Sequence, residues 1–186
     1  MLESSKPEMM IDRALATAGN ADAFRAELDR IEVPAYTTDT EGFVTYWNRA
    51  CVEFAGREPQ VGQDRWCVTW RLFTIDGDPL PHDECPMAVA IREMRSIRTV
   101  IAIAMRPNGS RVAFRPYPTP IFDDSGQFKG AINLLVDVSE EQAQVLKEQA
   151  SRCRRLANST GDSTAREILR SMAGGYEETA RSLDTD

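Results

Sequence analysis

The chain has 186 residues, of which 42% are hydrophobic and 27% are charged. This length closes one core of about 100 to 130 residues and leaves enough chain for helical extensions. Acidic side chains (29) outnumber basic ones (22), and the resulting formal charge of −7 argues against a nucleic-acid partner, because such partners require clustered Lys and Arg.

The N-terminal segment predicts two amphipathic helical pieces between residues 8 and 31. Apolar residues recur at helical spacing on both sides of a break at Gly19 and Asn20, and Asp22 is positioned to cap the second piece. Because the two apolar stripes are larger than a free helix should expose, we expect both pieces to lie on the domain or on a second copy of it.

A β-hairpin follows, over the sequence AYTTDTEGFVTYWN at 35–48. β-Branched and aromatic residues alternate around a turn in which Gly42 supplies the positive φ that a tight turn requires. Asn48 is then expected to start a short helix that runs through Ala55 and ends at Gly56.

The segment 58–86 is rich in Gly, Pro and Asp and predicts an irregular conformation. It also carries three large aromatic residues, Trp66, Trp70 and Phe73. A long irregular segment with such residues is typical of a packed wall rather than of a mobile loop.

A helix and three strands are predicted in the next part of the chain, with turns at 107–109 and 123–126 between the strands. Together with the hairpin they give five antiparallel strands with helices gathered on one side, an α+β fold. The predicted helix covers 88–94, and the predicted strands cover 97–105, 111–119 and 131–138.

Two amphipathic helices are predicted after the last strand. Ser139 begins the first, and Gln142 completes a capping-box pattern with it, while Asp162 is expected to cap the second. Outside a closed domain these helices need something to pack against, so we predict that they form an interaction surface. Their apolar stripes are Leu146, Ala150, Cys153 and Ala157 in the first helix, and Ala165, Leu169, Met172, Tyr176, Ala180 and Leu183 in the second.

The segments above resemble the PAS domain family over residues 29–141. The resemblance rests on the hairpin sequence, on GREPQVGQ at 56–63, on DGDPLPHDECPMAVAIREM at 76–94, and on RPNGSRVAFRPYPTPIFDDSGQFKGAINLLVDVSEE at 106–141. It implies a curved five-stranded antiparallel sheet whose inner face and flanking helices enclose a small cavity. It also implies a division into an N-terminal helical extension (1–31), a PAS domain (32–138) and a C-terminal helical extension (139–186).

The resemblance places a set of apolar, aromatic and polar residues at the walls of that cavity. Core packing alone is the alternative reason for the aromatic members, whereas convergent polar groups favour a small ligand. Arg115 is expected to be exposed at an alternate strand position. The cavity candidates are Trp66, Trp70, Arg71, Phe73, Met87, Ile91, Phe114, Tyr117 and Asn133.

Haem and flavin are the cofactors that relatives in this family hold. His82 is the sole histidine and a weak candidate for a metal ligand, since its position just before the predicted helix also suits a capping role. Cys85 lies three residues on, but two ligands fall short of a structural zinc site. Cys67 is followed by Val68 instead of the Arg found in the flavin-photosensing branch, which argues against a photoreactive thiol.

Enzymatic signals are weak in this sequence. A Gly-x-Ser-x-Gly elbow and a Gly-rich phosphate loop are missing, and 139–186 contains no histidine that could accept a phosphoryl group. We therefore expect a non-catalytic sensing and protein-interaction module that relays a small-molecule or partner signal to its flanking helices as a homodimer. A haem- or flavin-binding sensor and a ligand-free structural adaptor are the alternatives, and the signalling partner is unknown.

The cellular setting follows from the cysteines and from hydropathy. The four cysteines are irregularly spaced and no signal peptide precedes them, so we expect reduced thiols in a cytoplasmic protein. Apolar runs are strand-sized, and direct membrane contact is not expected.

Overall fold

The computed structural model describes residues 5–183, with the side chain of Ser5 excepted. Among these residues no helix is both long and apolar enough to cross a membrane. The helices are α1 (Ser5–Leu15), α2 (Ala21–Asp29), α3 (Arg49–Ala55), α4 (Pro86–Glu93), α5 (Ser139–Ser159) and α6 (Ser163–Leu183). The strands are β1 (Ala35–Thr38), β2 (Val44–Trp47), β3 (Arg71–Phe73), β4 (Pro79–Leu80), β5 (Ala102–Met105), β6 (Arg111–Pro116), β7 (Thr119–Phe122) and β8 (Phe128–Asp137).

The strands form one antiparallel sheet in the order β2-β1-β8-β6-β5-β3-β4, with β7 paired to β8. The predicted α+β class is confirmed, but five strands is an undercount. The predicted strand at 111–119 divides into β6 and β7 near Pro118, because proline has no N–H to donate to the sheet. The segment predicted as irregular contributes β3 and β4, which are too short for an alternating pattern to reveal.

The N-terminal helices lie on the outer face of the sheet, over β1 and β8. Asn20, not Asp22 as predicted, caps α2, because its Oδ1 accepts hydrogen bonds from the N–H groups of Asp22 and Ala23 at 3.1 Å. Of the two expected locations, the structure shows contact with the domain itself. The buried cluster consists of Ile11, Ala14, Leu28, Ile31, Ala35, Tyr117, Ile132 and Leu134.

The C-terminal helices cover another part of the same outer face. α6 folds back along α5, and Asp162 caps it as predicted, its Oδ1 accepting from the N–H of Thr164 at 2.8 Å. Met172 is exposed instead of lying on the buried stripe. The apolar stripes of α5 and α6 therefore pack within this chain, against each other and the sheet. Their shared cluster consists of Ile103, Ala113, Val138, Ala143, Leu146, Ala180 and Leu183.

Candidate functional site

The inner face of the sheet carries the largest buried cluster. α3 and α4 cover it, because their apolar sides and the inward-facing strand residues are buried together. Phe54 of α3 packs edge-on against Phe114 of β6, with ring centroids 5.3 Å apart. Four cavity candidates, Trp66, Met87, Ile91 and Phe114, belong to this cluster.

Asn133 lies between two inner-face residues of β8, Ala131 and Leu135, and it is buried. Its Nδ2 donates to Tyr36 Oη at 3.0 Å, and its Oδ1 accepts from the Tyr117 N–H at 2.9 Å. Both ends of this amide are therefore bound within the chain. Asn133 joins β8 to β1, so it has a structural role in addition to the ligand contact that was predicted for it.

Tyr36 extends this network toward Trp66. Its hydroxyl donates to the Trp66 carbonyl at 3.0 Å. Burial raises the pKa of Tyr36 well above its ordinary value, so the phenol stays protonated and remains a donor. A hydrogen-bonded chain from Asn133 through Tyr36 to Trp66 thus crosses the inner core.

Trp66 has a left-handed backbone, with φ of 69°, which is costly for a bulky residue. Its N–H donates to the Gly42 carbonyl at 2.7 Å, and its ring lies so close to Gly42 that an added Cβ would be 2.1 Å from it. Gly42 is therefore needed twice, for its own φ of 88° and for this close approach.

Four other cavity candidates lie away from the inner face. Tyr117 follows β6 and packs with the outer cluster under α1 and α2, and Phe73 packs in the outer cluster under α5 and α6. Trp70 is 42% exposed and Arg71 is exposed, with the guanidinium 4.5 Å from the indole. Side chains alternate across a strand, so Phe73 of β3 lies on the outer face while its neighbour Leu72 lies in the inner cluster.

Cys67 and Cys85 are buried, and His82 is partly buried. Burial raises the pKa of Cys85 to about 12 and also raises the pKa of Cys67, whose Sγ lies 3.2 Å from Thr69 Oγ1. His82 Nε2 lies 3.5 Å from the same hydroxyl, and burial lowers its pKa. Within residues 5–183, no group of three or more His, Cys, Asp or Glu side chains is arranged to hold a metal ion.

Two further buried polar residues, Thr38 and Asn48, lie outside the set of predicted cavity residues. Thr38 pairs with Ala131 on the inner face, and its Oγ1 is the buried side-chain polar atom for which the described structure gives no hydrogen-bond partner. Asn48 occupies the predicted helix start, but its side chain does not cap α3. Its Oδ1 accepts from the Ala35 N–H at 3.0 Å, and its Nδ2 donates to the Ile31 and Val33 carbonyls at 2.9 Å.

The exit from β8 into α5 is held by β6. Ser139 does not form the predicted capping box, because its Oγ accepts instead from the Ala113 N–H at 2.9 Å. The Val138 N–H donates to the Ala113 carbonyl, also at 2.9 Å. Ala113 lies on the outer face, and its neighbour Phe114 lies in the inner core. The first turn of α5 is therefore bonded to a residue adjacent to the inner cluster.

An antiparallel sheet with a buried inner face, covering helices and an exit helix leaving β8 is the arrangement that the PAS resemblance implies. A family model described as the PAS domain matches residues 32–140, more than half of the chain. The chain therefore belongs to the PAS domain family. The search of curated proteins gives no match to this chain.

Solved structures of similar fold include light-oxygen-voltage (LOV) domains. One, solved in work on a flavin analogue, has a TM-score of 0.51 at 13% identity and covers 73% of this chain and 98% of that one. The Rhodobacter sphaeroides LOV protein has a TM-score of 0.48 at 14% identity and covers 94% of this chain and 96% of that one. At these identities the likeness concerns the fold alone.

Proposed function

We propose that this protein is a non-catalytic PAS sensor that relays a binding event at the inner face to its C-terminal helices. It forms a homodimer and binds a further signalling protein. It acts in the cytoplasm, where its four buried thiols stay reduced. Residues 32–138 form the sensing domain, and 1–31 and 139–186 are the helical extensions.

The contact between Ala113 and Ser139 carries this proposal. A ligand or partner that favours one packing of Phe114 also favours one position of the adjacent Ala113. Because Ala113 bonds both Ser139 and Val138, its position biases the first turn of α5. The signal then equals the difference in affinity of the ligand for the two states of this junction.

A small polar molecule is the ligand class that the inner face supports best. Thr38 Oγ1 is buried, its residue pairs with Ala131 of the inner cluster, and it offers one hydrogen bond, as orienting groups of ligand sites do. The amide of Asn133 is bound to Tyr36 and Tyr117, so a ligand would have to compete with Tyr36 for it.

A double-mutant cycle in the full chain tests the relay. Phe54→Leu perturbs the inner core at its contact with Phe114. Ser139→Ala removes the hydrogen bond between the Ala113 N–H and Ser139 Oγ at the start of α5. We expect the two effects on the free energy of unfolding to be coupled by about 1 kcal/mol, measured by urea denaturation.

Ser151→Ala is the matched control for this cycle. Ser151 also lies on α5, but it is exposed and its hydroxyl bonds only the local Lys147 carbonyl. Phe54→Leu and Ser151→Ala should be additive within about 0.5 kcal/mol. If Phe54→Leu and Ser139→Ala are equally additive, the relay through Ala113 is wrong.

The alternatives make different predictions. A haem or flavin sensor would be coloured, whereas a sensor of a colourless molecule would not. A visible absorbance spectrum of the purified protein tests this reading. A ligand-free adaptor would show only the mass of the polypeptide in native mass spectrometry.

A further inference from the structure

A homodimer of this chain has few apolar surfaces left to use. The stripes of α1 and α2 cover one part of the outer sheet face, and those of α5 and α6 cover another. The outward faces of these helices remain open to a second copy. The outward side of α6 carries a symmetric pattern of charges.

Five exposed residues mark this face, at spacings of three, four, four and three, which places them on one side of a helix. The charges are opposite in sign at equal distances from the central glycine: Glu167 matches Arg181, and Arg170 matches Glu178. The α6 face is defined by Glu167, Arg170, Gly174, Glu178 and Arg181.

We propose that the α6 face binds the α6 face of a second copy of this chain, in antiparallel orientation, with a two-fold axis passing Gly174. This arrangement sets Glu167 against Arg181 and Arg170 against Glu178, and symmetry repeats each pair. A parallel arrangement would set like charges against each other. The inference rests on the proposed homodimer and specifies its interface.

The charges of the α6 face are available for such pairs. Glu167, Arg170 and Glu178 make no ion pair with any other residue in the described range 5–183. On α5, two charges are already used, since Glu141 pairs with Arg115 at 3.7 Å and Arg154 pairs with Glu177 at 2.5 Å. The unpaired, self-complementary charges of α6 therefore support it as the dimer contact.

Gly174 supports the same arrangement. A glycine inside a helix lowers helix stability, and a Cβ at this position would have nothing within 4 Å in the single chain. Packing within the chain therefore does not explain it, whereas close approach of a second helix does.

Charge reversal in the full chain tests the proposal by sedimentation velocity over a concentration series. Arg170→Glu and Glu178→Arg should each weaken dimerisation of the separate variants about tenfold, because each change sets like charges together at two symmetric contacts. An equimolar mixture should recover the wild-type dissociation constant within about threefold, because both contacts are then opposite in sign.

Gly174→Ala and Gly175→Ala form a matched pair. Both add one methyl group to α6 in open space within the monomer, but Gly175 lies about 100° further round the helix. Gly174→Ala should weaken the dimer about tenfold, and Gly175→Ala should change it less than threefold.

Three results would overturn this interface: a wild-type chain that stays monomeric, single variants that dimerise as well as wild type, or a mixture that stays as weak as its components. The relay is judged separately, because the cycle between Phe54 and Ser139 can be repeated in the Arg170→Glu background. Coupling without α6 pairing would retain the proposed relay and reject only the interface.

Discussion

Thr38 has a buried hydroxyl without a partner in the described structure, and this determines what its removal does. Thr38→Val keeps the branched shape and deletes the hydroxyl. We expect the free energy of unfolding of the ligand-free protein to rise by about 1 kcal/mol in urea denaturation, because an unsatisfied buried polar group is costly. A loss of stability would mean that the hydroxyl has a partner in solution.

Asn48 joins three parts of the chain through one side chain. Its amide bonds β1 at Ala35 and the segment between α2 and β1 at Ile31 and Val33. Asn48→Ala leaves these buried groups unpaired, and we expect a loss of about 3 kcal/mol of unfolding free energy. Asn158→Ala, at an exposed position of α5, is the control and should change stability by less than about 0.5 kcal/mol.

At the scale of elements, the docking of α6 depends on small and apolar residues near its C-terminal end. Ala180 is buried in the cluster that joins α6 to α5 and the sheet. Ala180→Asp places a charge there, and we expect faster amide hydrogen exchange along α6 while the amides of β8 stay protected, because local opening costs less than global unfolding.

Ile168→Asp provides the comparison for this prediction. Ile168 is 56% exposed on the same helix, so an aspartate there meets water and α6 should stay docked. Equal acceleration of exchange in both variants would indicate that α6 opens independently of its contact with the sheet.

At the scale of the whole molecule, His82 sets the stability between mildly acidic and neutral pH, since it is the sole histidine. Burial lowers its pKa from the ordinary value of 6.5, so the unfolded chain binds this proton at a higher pH than the folded protein does. The free energy of unfolding should therefore fall as the pH drops below 6.5 and continue to fall until the folded-state pKa is passed.

Urea denaturation across this pH range, with His82→Gln as the comparison, checks the prediction. The substituted protein should lose the dependence in this window. The hydrogen bond from Ser125 lowers the pKa of Asp123, so protonation of this carboxylate destabilises the protein only at more acidic pH. It therefore does not contribute to the pH dependence in the histidine range. A wild-type profile as flat as that of His82→Gln would contradict the assignment.

Local sequence patterns predict the structure correctly where they extend over many residues. The hairpin around Gly42, the helix that ends at Gly56 and the exit helix after β8 are all present, because alternation and turn chemistry act through near neighbours. The sequence does not reveal β3, of three residues, or β4, of two, because such a short strand is determined by its neighbours in the sheet.

The sequence by itself determined the PAS family, the inner position of Phe114 and the amphipathic helices at both ends. Tertiary structure alone decided that Tyr117 and Phe73 lie on the outer face, that Ser139 bonds Ala113 instead of capping its own helix, and that the terminal helices cover their own sheet. The physical reason is that an apolar stripe must be buried and a buried hydroxyl must be hydrogen-bonded, and both requirements are visible in the sequence. Which residue satisfies them depends on which distant segments come together in the fold.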